Sequence, residues 1–313
     1  MVSIIIPYFN RPKKIIRCLE SVLSQSFQDF EILIIDDYSK LALDLNIEDT
    51  RIKVYRNNKN LGPGLSRNVG LNNAQGEYVA FLDSDDYWHQ NFLEITVKYL
   101  KKDNSLAFVY TNANSFKGTK QKLFRENLKP VDIIMPDILF NKRAWVTPSC
   151  LWNAKKINSV RFINTRNWED YVFDIEVSIN CNNIKYIDQV LCFCDSSGND
   201  KLSSAKFSYK LKNKILSLNE LFEILQTTKY ANYESVNIYF TSEYLSLLAK
   251  IKSNEYFGSL DEIILKNIRI KEGFRFYLFL GLSYKILPSN LFSKLVYRMK
   301  SNKKKKISEC VDF

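Results

Sequence analysis

Three carboxylate clusters mark the first half of this chain: Asp36-Asp37, Asp83-Ser84-Asp85-Asp86 and Glu169-Asp170. Asp is common in turns and caps after strands, but here two clusters each close an apolar run, Ile32–Ile35 and Val79–Leu82. In an open α/β sheet, ligands bind at the carboxyl ends of strands. Acids gathered there repel one another unless a cation or hydrogen-bond donors compensate. Asp83 and Asp85 are two apart and face the same way in extended chain. Two such carboxylates, with room left for phosphate oxygens, suit Mg²⁺ or Mn²⁺. Between the clusters, Asn60 to Gly70 opens a helix with small residues and carries Arg67 in its first turns. Helix N-termini and Arg both favour phosphate. The segment lacks the Gly-Lys-Ser/Thr of a P-loop, and no G-x-G-x-x-G follows the first apolar run. In the third cluster, Glu169 or Asp170 is either a helix N-terminal carboxylate or a general base.

Other chemistries are excluded. The chain has one His, so a His-rich metal site is impossible, and Ser-His-Asp catalysis would rest on His89 alone. His89 follows Trp88 at a helix start and reads as a surface or cap residue. The six Cys include no C-x-x-C pair, which removes zinc-ribbon and thioredoxin-like readings. They read as reduced core thiols, with Cys192 and Cys194 on one side of a strand.

The elements that must position these residues alternate in type. Strands are expected at Val2–Tyr8, Glu31–Ile35, Ile52–Tyr55, Tyr78–Leu82, Leu106–Tyr110 and Ile184–Phe193. Helices are expected after Pro12, with Asn10 as cap and Ile15, Leu19 and Val22 on one face, from Gly62 to about Gln75, and over Phe92–Lys101 and Tyr171–Cys181. Such alternation predicts a parallel α/β sheet. Residues 115–150 are less regular and are expected to cover its edge. From about residue 205 the pattern is helical only, with helices expected at Tyr209–Leu225, Asn237–Lys252, Leu260–Ile270, Gly273–Ile286 and Asn290–Lys300, so a catalytic domain over 1–204 and a helical domain over 205–313 are expected.

In order, these segments resemble the family 2 glycosyltransferases. The P-x-Y-N motif is matched by Pro7 to Asn10, with Phe9 in place of Tyr, and V-D-D-x-S by Ile35 to Ser39. G-x-x-x-A-R-N-x-G is matched by Gly62 to Gly70, with Ser66 for Ala, and F-L-D-x-D-D by Phe81 to Asp86, followed by Trp88. The Glu-Asp pair before an aromatic is matched by Glu169-Asp170-Tyr171. The resemblance covers about residues 1–205. It implies the α/β GT-A fold, a Rossmann-like, mostly parallel sheet flanked by helices, and inverting transfer from a nucleotide-diphosphate sugar, with UDP the expected nucleotide. It also implies roles: Phe9, beside Pro7, stacks on the nucleobase, and Asp37, with Asp36 nearby, binds base and ribose. Arg67 steadies the diphosphate, Asp83 and Asp85 reach ribose, sugar and a Mn²⁺ or Mg²⁺ ion, and Asp170 is the base, with Glu169 its rival. Many members carry a metal-contacting His after the last core strand. Here that stretch, Cys192 to Ser204, has none. Asp195 or Asp200 as ligand, or Lys201 on the diphosphate, are the candidate substitutes.

Residues 1–200 carry 25 Lys/Arg and 24 Asp/Glu, whereas 201–313 carry 20 and 10. The second half is also apolar-aromatic from Phe274 to Tyr284, with Lys294, Arg298, Lys300 and Lys303 to Lys306 following. This composition fits peripheral attachment to an anionic leaflet and, with it, a glycan or polyprenyl-linked oligosaccharide acceptor. No export signal or apolar run of spanning length is visible, so a cytoplasmic protein, peripheral on the inner membrane, is expected. Three other readings were weighed: an inactive binding or assembly subunit, a nucleotidyltransferase and a nucleic-acid binder. The expected carboxylates are all present. Phe9-Asn10-Arg11-Pro12 stands where a nucleotidyltransferase has a Gly-rich loop, and no nucleic-acid motif occurs. Sugar, linkage and acceptor have no code in one sequence; Trp145, Trp152 and Trp168 are either sugar-stacking or core residues.

Overall fold

The computed structural model describes residues 1–41, 43, 45, 47–117, 120–124, 128–141, 143–197, 207–253, 264, 280 and 283–310. They form two compact units, Met1–Ser204 and Ala205–Phe313.

The first unit is built on one nine-stranded sheet. Strand β1 (Val2–Tyr8) is a β-branched run buried along almost its whole length, as a central parallel strand must be. It pairs in parallel with β2 (Phe30–Asp36) on one side and β4 (Tyr78–Phe81) on the other, and β2 pairs in parallel with β3 (Ile52–Arg56). Helix α1 (Pro12–Leu23) links β1 to β2, and α2 (Pro63–Asn73) links β3 to β4. The chain thus leaves β1 and returns on its opposite flank, which creates a switch point at the carboxyl ends of β1, β2 and β4. Those ends are where Phe9, Asp36-Asp37 and Asp83 to Asp86 follow.

Beyond β4 the sheet changes character. Strand β8 (Cys150–Asn153) is antiparallel to both β4 and β6 (Phe108–Lys117), while β6 runs parallel to β9 (Ile184–Asp195). Short strands β5 (Tyr87–Trp88) and β7 (Lys120–Leu123) add antiparallel pairings to β9 and β6. The sheet is therefore parallel from β3 through β2 and β1 to β4 and mixed elsewhere. Strand β6 runs seven residues past the expected Tyr110. Its extension is polar, Asn112, Asn114 and Ser115, and so lacks an apolar signature; pairing with β9 through a bulge at Thr111–Ala113 carries it on.

Both sheet faces are covered. Ile15, Leu19 and Val22 of α1 join Ile4, Ile6, Ile32 and Ile34, and α3 (Phe92–Lys102) adds Phe92, Leu93, Val97 and Leu100 to the same core. The expected apolar stripe of α1 is the buried one. Asn10 does not cap it: Arg11 holds the cap position, and Asn10, at φ 51°, accepts the Lys40 N–H with its side chain. On the other face, Phe81 packs against Phe162 and Phe173, with ring centroids 5.2 and 5.8 Å away. Phe162 stacks on Phe173 at 4.1 Å, and Trp152 meets Phe173 at 5.3 Å. This aromatic cluster fastens α6 (Glu169–Asn180) to β4 and β8. Short helices α4 (Asp137–Asn141) and α5 (Ala154–Ile157) complete the unit.

The second unit is helical where described. Helix α7 (Phe207–Gln226) buries Leu211, Ile215, Leu218, Phe222 and Leu225 at helical spacing. Phe222 meets Phe240 of α8 (Glu234–Ser253) at 5.3 Å, and the Tyr244 hydroxyl bonds Asn219. Helix α9 (Ser289–Cys310) buries Phe292 and Val296 and leaves Leu291 and Tyr297 exposed. The helices expected at Leu260–Ile270 and Gly273–Ile286 lie largely outside the described residues.

Because Phe173 is 1% exposed and touches three aromatic rings, Phe173→Ala should destabilise the first unit by about 3–5 kcal/mol. Urea unfolding followed by near-ultraviolet circular dichroism measures it. A change below about 1 kcal/mol would mean that α6 is held by something else.

Candidate active site

The carboxyl edge of the sheet opens into a cleft of about 1030 Å³ lined by Pro7, Phe9, Asp37, Arg67, Asp83, Asp85, Asp86, Glu169, Asp170 and Asp195, among others. The three sequence clusters, far apart in the chain, thus share one cavity.

Phe9 is 44% exposed at the cleft rim. Its loop is tied to the one after β2, because Ser39 Oγ accepts the Asn10 N–H at 2.9 Å and Asn10 Oδ1 accepts the Lys40 N–H. Asp36 and Asp37 diverge, as successive residues of extended chain do. Asp37 faces the cleft and accepts the Leu61 and Gly62 N–H groups, both at 2.7 Å, and Asn57 Nδ2 at 2.9 Å. It thereby holds the loop that starts α2. Asp36 lies outside the cleft lining, accepts the Ser39 N–H and pairs with Arg56. Lys201 and Asp200 lie outside the described residues.

Helix α2 approaches the acids closely because its opening residues are small. Gly62, at φ 90°, adopts a backbone conformation that L side chains rarely take. A Cβ on Gly64 would sit 2.9 Å from Glu169 Cγ. Arg67 is buried at 4% exposure and is already engaged, donating to Asp83 Oδ1 at 2.7 Å and Glu169 Oε1 at 3.5 Å. Burial opposes its charge, but Asp83 and Glu169 outweigh that and raise its basicity.

A second set of cations comes from α1. Arg11 pairs with Asp85 at 3.0 Å; Lys14 and Arg17 pair with Asp195 at 3.4 and 3.3 Å. Arg17 also donates to the Asp85 carbonyl at 2.7 Å, with its guanidinium over the Tyr87 and Phe116 rings. Burial would raise the Asp195 carboxyl, yet the Ser197 N–H and hydroxyl, with Lys14 and Arg17, hold it below its ordinary value. Asp86 is different. Burial first, then Cys194, Asp83 and Asp85, push it well above the carboxylate range, and its Oδ1 accepts the Asp195 N–H.

At the start of α6, Trp168 takes the N-cap position with φ 70°. The Glu169 side chain is 10% exposed and that of Asp170 33%. Burial, then the Asp170 charge, lift Glu169 to about 7 against the pull of Arg67. Asp170 instead accepts from Arg143 Nη1 at 2.8 Å and Thr147 Oγ1 at 3.3 Å.

Sequence reasoning missed Arg11, Lys14, Arg17, Arg143 and Thr147. The first three were legible as cations spaced three apart on one face of a helix. Arg143 carries no local signal. Of the candidate stacking residues, Trp145 and Trp152 are core, and only Trp168 lines the cleft. His89 is exposed and accepts the Asn91 N–H, as expected of a cap. Cys18, Cys150, Cys181, Cys192 and Cys194 are free and buried.

The raised Glu169 makes a pH prediction. Its folded value, about 7, exceeds the ordinary 4.5, so above pH 4.5 the folded state binds protons that the unfolded state has lost. Its contribution to stability therefore declines as pH rises from about 4.5 to 7 and then levels off. Glu169→Gln removes that slope, so its stability relative to wild type should improve between pH 5 and pH 8 by roughly 1–3 kcal/mol. Urea unfolding at both pH values checks this; parallel stability curves would refute it.

The glycosyl transferase family 2 model matches residues 3–161. Among curated relatives, a glycosyltransferase of Rickettsia felis is 39% identical over 131 residues, 41% of this chain and 21% of the relative. Staphylococcus aureus TarS, a poly(ribitol-phosphate) β-N-acetylglucosaminyltransferase, is 27% identical over 223 residues, 66% of this chain and 37% of TarS. Escherichia coli WfgD, a UDP-Glc:α-D-GlcNAc-diphosphoundecaprenol β-1,3-glucosyltransferase, is 38% identical over 115 residues, 36% of this chain and 45% of WfgD. The alignments span less than half the length of each of these relatives. In fold, the chain resembles the crystal structure of S. aureus TarS 1–349 in complex with UDP-GlcNAc, with a TM-score of 0.63 and 17% identity over 97% of this chain and 91% of that one. The expected GT-A fold is thus present, with its sheet mixed beyond β4. With the family's model covering half of its length and the family's acidic motifs gathered in one cleft, the chain belongs to glycosyl transferase family 2.

Proposed function

We propose that this protein transfers a sugar, with inversion, from a UDP-sugar to a hydroxyl of a glycan or lipid-linked oligosaccharide. The observation that carries the reading is the convergence of Phe9, Asp37, Arg67, Asp83, Asp85 and the Glu169-Asp170 pair on one cleft at the sheet's switch point. TarS and WfgD support UDP as the nucleotide, since the solved TarS complex holds UDP-GlcNAc and WfgD is named for UDP-Glc. WfgD, named for a diphosphoundecaprenol acceptor, also supports the acceptor class.

In this reading Phe9 stacks on the uracil ring, with Pro7 beside it. Asp37 keeps the loop before α2 in place beneath base and ribose. Among the described residues no group of three or more His, Cys, Asp or Glu side chains gathers as a metal site. Asp83 and Asp85 nonetheless suit Mg²⁺ or Mn²⁺, which are commonly held by one or two carboxylates plus substrate phosphates. Such an ion supplies charge neutralisation for the departing diphosphate. Arg67, fixed between Asp83 and Glu169, adds positive charge at the same place. The acceptor oxygen attacks the anomeric carbon as the bond from that carbon to the diphosphate oxygen breaks. The nucleotide leaves with the electron pair, and the acceptor proton passes to a carboxylate of the Glu169-Asp170 pair. Asp170, the more open of the two, is the base; Glu169 is the rival. An inactive assembly subunit has no observation in its favour, because every carboxylate that the chemistry needs lines the cleft.

Transfer from UDP-sugars in Mn²⁺ or Mg²⁺ should stop in excess EDTA and in Asp85→Asn. Asp170→Asn should lower kcat by about 10²–10⁴-fold with donor affinity nearly unchanged. A dead Glu169→Gln beside an active Asp170→Asn would hand the role to Glu169, and loss of donor affinity in both would make the pair structural.

No described helix is long and apolar enough to cross a membrane. We further propose peripheral attachment to the cytoplasmic face of an anionic membrane through the second unit. Lys285, Ile286, Leu291, Lys294, Tyr297 and Arg298 are exposed, a mixture of cations and apolar side chains suited to a lipid interface. The Lys303 to Lys306 side chains and most of Phe274 to Tyr284 lie outside the described residues. The full chain should co-sediment with phosphatidylglycerol vesicles at low salt and release at high salt; indifference to such vesicles would end the idea.

A further inference from the structure

One fully buried carboxylate of the first unit is not used by the reaction as described. Asp174 is 0% exposed, in the middle of α6 and one turn below Asp170. It accepts from Arg143 Nε, from Arg143 Nη2 at 3.3 Å and from Trp145 Nε1 at 2.8 Å. Arg143 is itself 6% exposed and divides its guanidinium between two carboxylates, with Nη1 reaching Asp170 Oδ2 at 2.8 Å. Thr147 Oγ1 accepts from Arg143 at 3.1 Å and donates to the same Asp170 oxygen at 3.3 Å. A buried guanidinium is costly unless paired on all sides, and Asp174 takes only its Nε and Nη2 side. The branch to Asp170 is additional, and it ends in the cleft.

We infer that Arg143 is a positioning residue: anchored from below by Asp174 and Trp145, it clamps Asp170 Oδ2 and holds that carboxylate oriented at the acceptor side of the cleft. The inference rests on the Glu169-Asp170 pair being the acceptor-side base. Two arginines then divide the pair, Arg67 taking Glu169 and Arg143 taking Asp170. Each carboxylate thus has its own cation, and the two stand in different surroundings, which is how adjacent carboxylates acquire different tasks. Among the described residues, the charged groups around Asp170 include Glu169 and Asp174 on α6, Arg143 between α4 and β8, and Arg67 on α2. Arg143 and Arg67 favour its charged form, whereas Glu169 and Asp174 oppose it. Asp174 is lifted to about 6 by burial, against the charge and hydrogen bonds of Arg143.

The opposed signs make a test that a merely structural role would not pass. The ¹³Cγ resonance of Asp170, followed against pH in the full-length labelled protein without substrate, should titrate higher in Arg143→Gln by about one pH unit or more. In Asp174→Asn, which keeps the shape and leaves Arg143 more fully to Asp170, it should titrate lower. Arg143→Lys, which keeps the charge but loses the fork, should fall between wild type and Arg143→Gln. In transfer assays with a UDP-sugar, Arg143→Gln should lose about 10–100-fold in kcat. Its KM for the donor should stay within twofold, and the acid limb of its pH profile should move in the same direction as the resonance. Unshifted Asp170 titration in the variants, or the same direction of shift in Arg143→Gln and Asp174→Asn, overturns the clamp. If Arg143→Gln does not fold, Arg143→Lys and Asp174→Asn carry the same comparison. Failure of the base assignment itself is seen separately, as an Asp170→Asn variant that keeps its turnover while the resonance shifts in Arg143→Gln occur as expected.

Discussion

Asp37, Asp83, Asp85, Asp86, Glu169, Asp170 and Asp195 all line the same cleft, and carboxylates so close in a partly dry cavity repel strongly. The first unit answers this repulsion in three ways. Cations from outside the acidic motifs are packed against them: Arg11, Lys14 and Arg17 from α1, Arg67 from α2, and Arg143 from the segment before β8. Backbone donors take Asp37, through the N–H groups of Leu61 and Gly62. Where neither suffices, the acid holds its proton more tightly, as Asp86 and Glu169 do. Each of these acids is thereby compensated within the first unit by a cation, a backbone donor or a retained proton.

Compensation requires that the cations arrive at fixed places, and this makes the apolar packing part of the site. Arg67 reaches Asp83 because α2 begins with residues small enough to lie against Glu169. Glu169 and Asp170 reach the cleft because Phe173, four and three residues further along α6, is locked among Phe81, Trp152 and Phe162. The same Phe162 ring lies under the Arg67 guanidinium at 5.3 Å. A loss of packing behind the sheet would therefore be felt as a misplaced charge in front of it.

The division of the sheet follows a similar logic. Its parallel half brings strand ends, helix N-termini and acids to one edge, as nucleotide-binding α/β sheets do. Its mixed half supplies Asp195 from the end of β9 and, through the segments before β8 and α6, Arg143, Thr147 and the Glu169-Asp170 pair. The Asp37, Arg67 and Asp83-to-Asp86 side of the cleft is thus made by local motifs at successive strand ends and the helix between them. The Glu169-Asp170 side is assembled from segments distant in sequence.

That contrast separates what the sequence by itself determined from what only the tertiary structure decided. The β-branched runs, the apolar stripe of α1 and the acid clusters that end strands were legible because periodicity and turn chemistry are local properties. They sufficed for the alternating fold, for the family and for the gathering of Asp37, Asp83, Asp85 and the Glu169-Asp170 pair in one cleft. The antiparallel insertion of β8, the polar extension of β6 and the divergence of Asp36 from Asp37 were not legible, since strand pairing and side-chain direction depend on neighbours remote in the chain. Charge was the least legible quantity. Nothing in the residues around Arg143 marks it as the partner of Asp170 and Asp174. Nor does adjacency in sequence say that Glu169 is the buried member of its pair and Asp170 the open one. A side chain's proton affinity is set by burial and by charges brought near through folding, and only the packed structure holds that information.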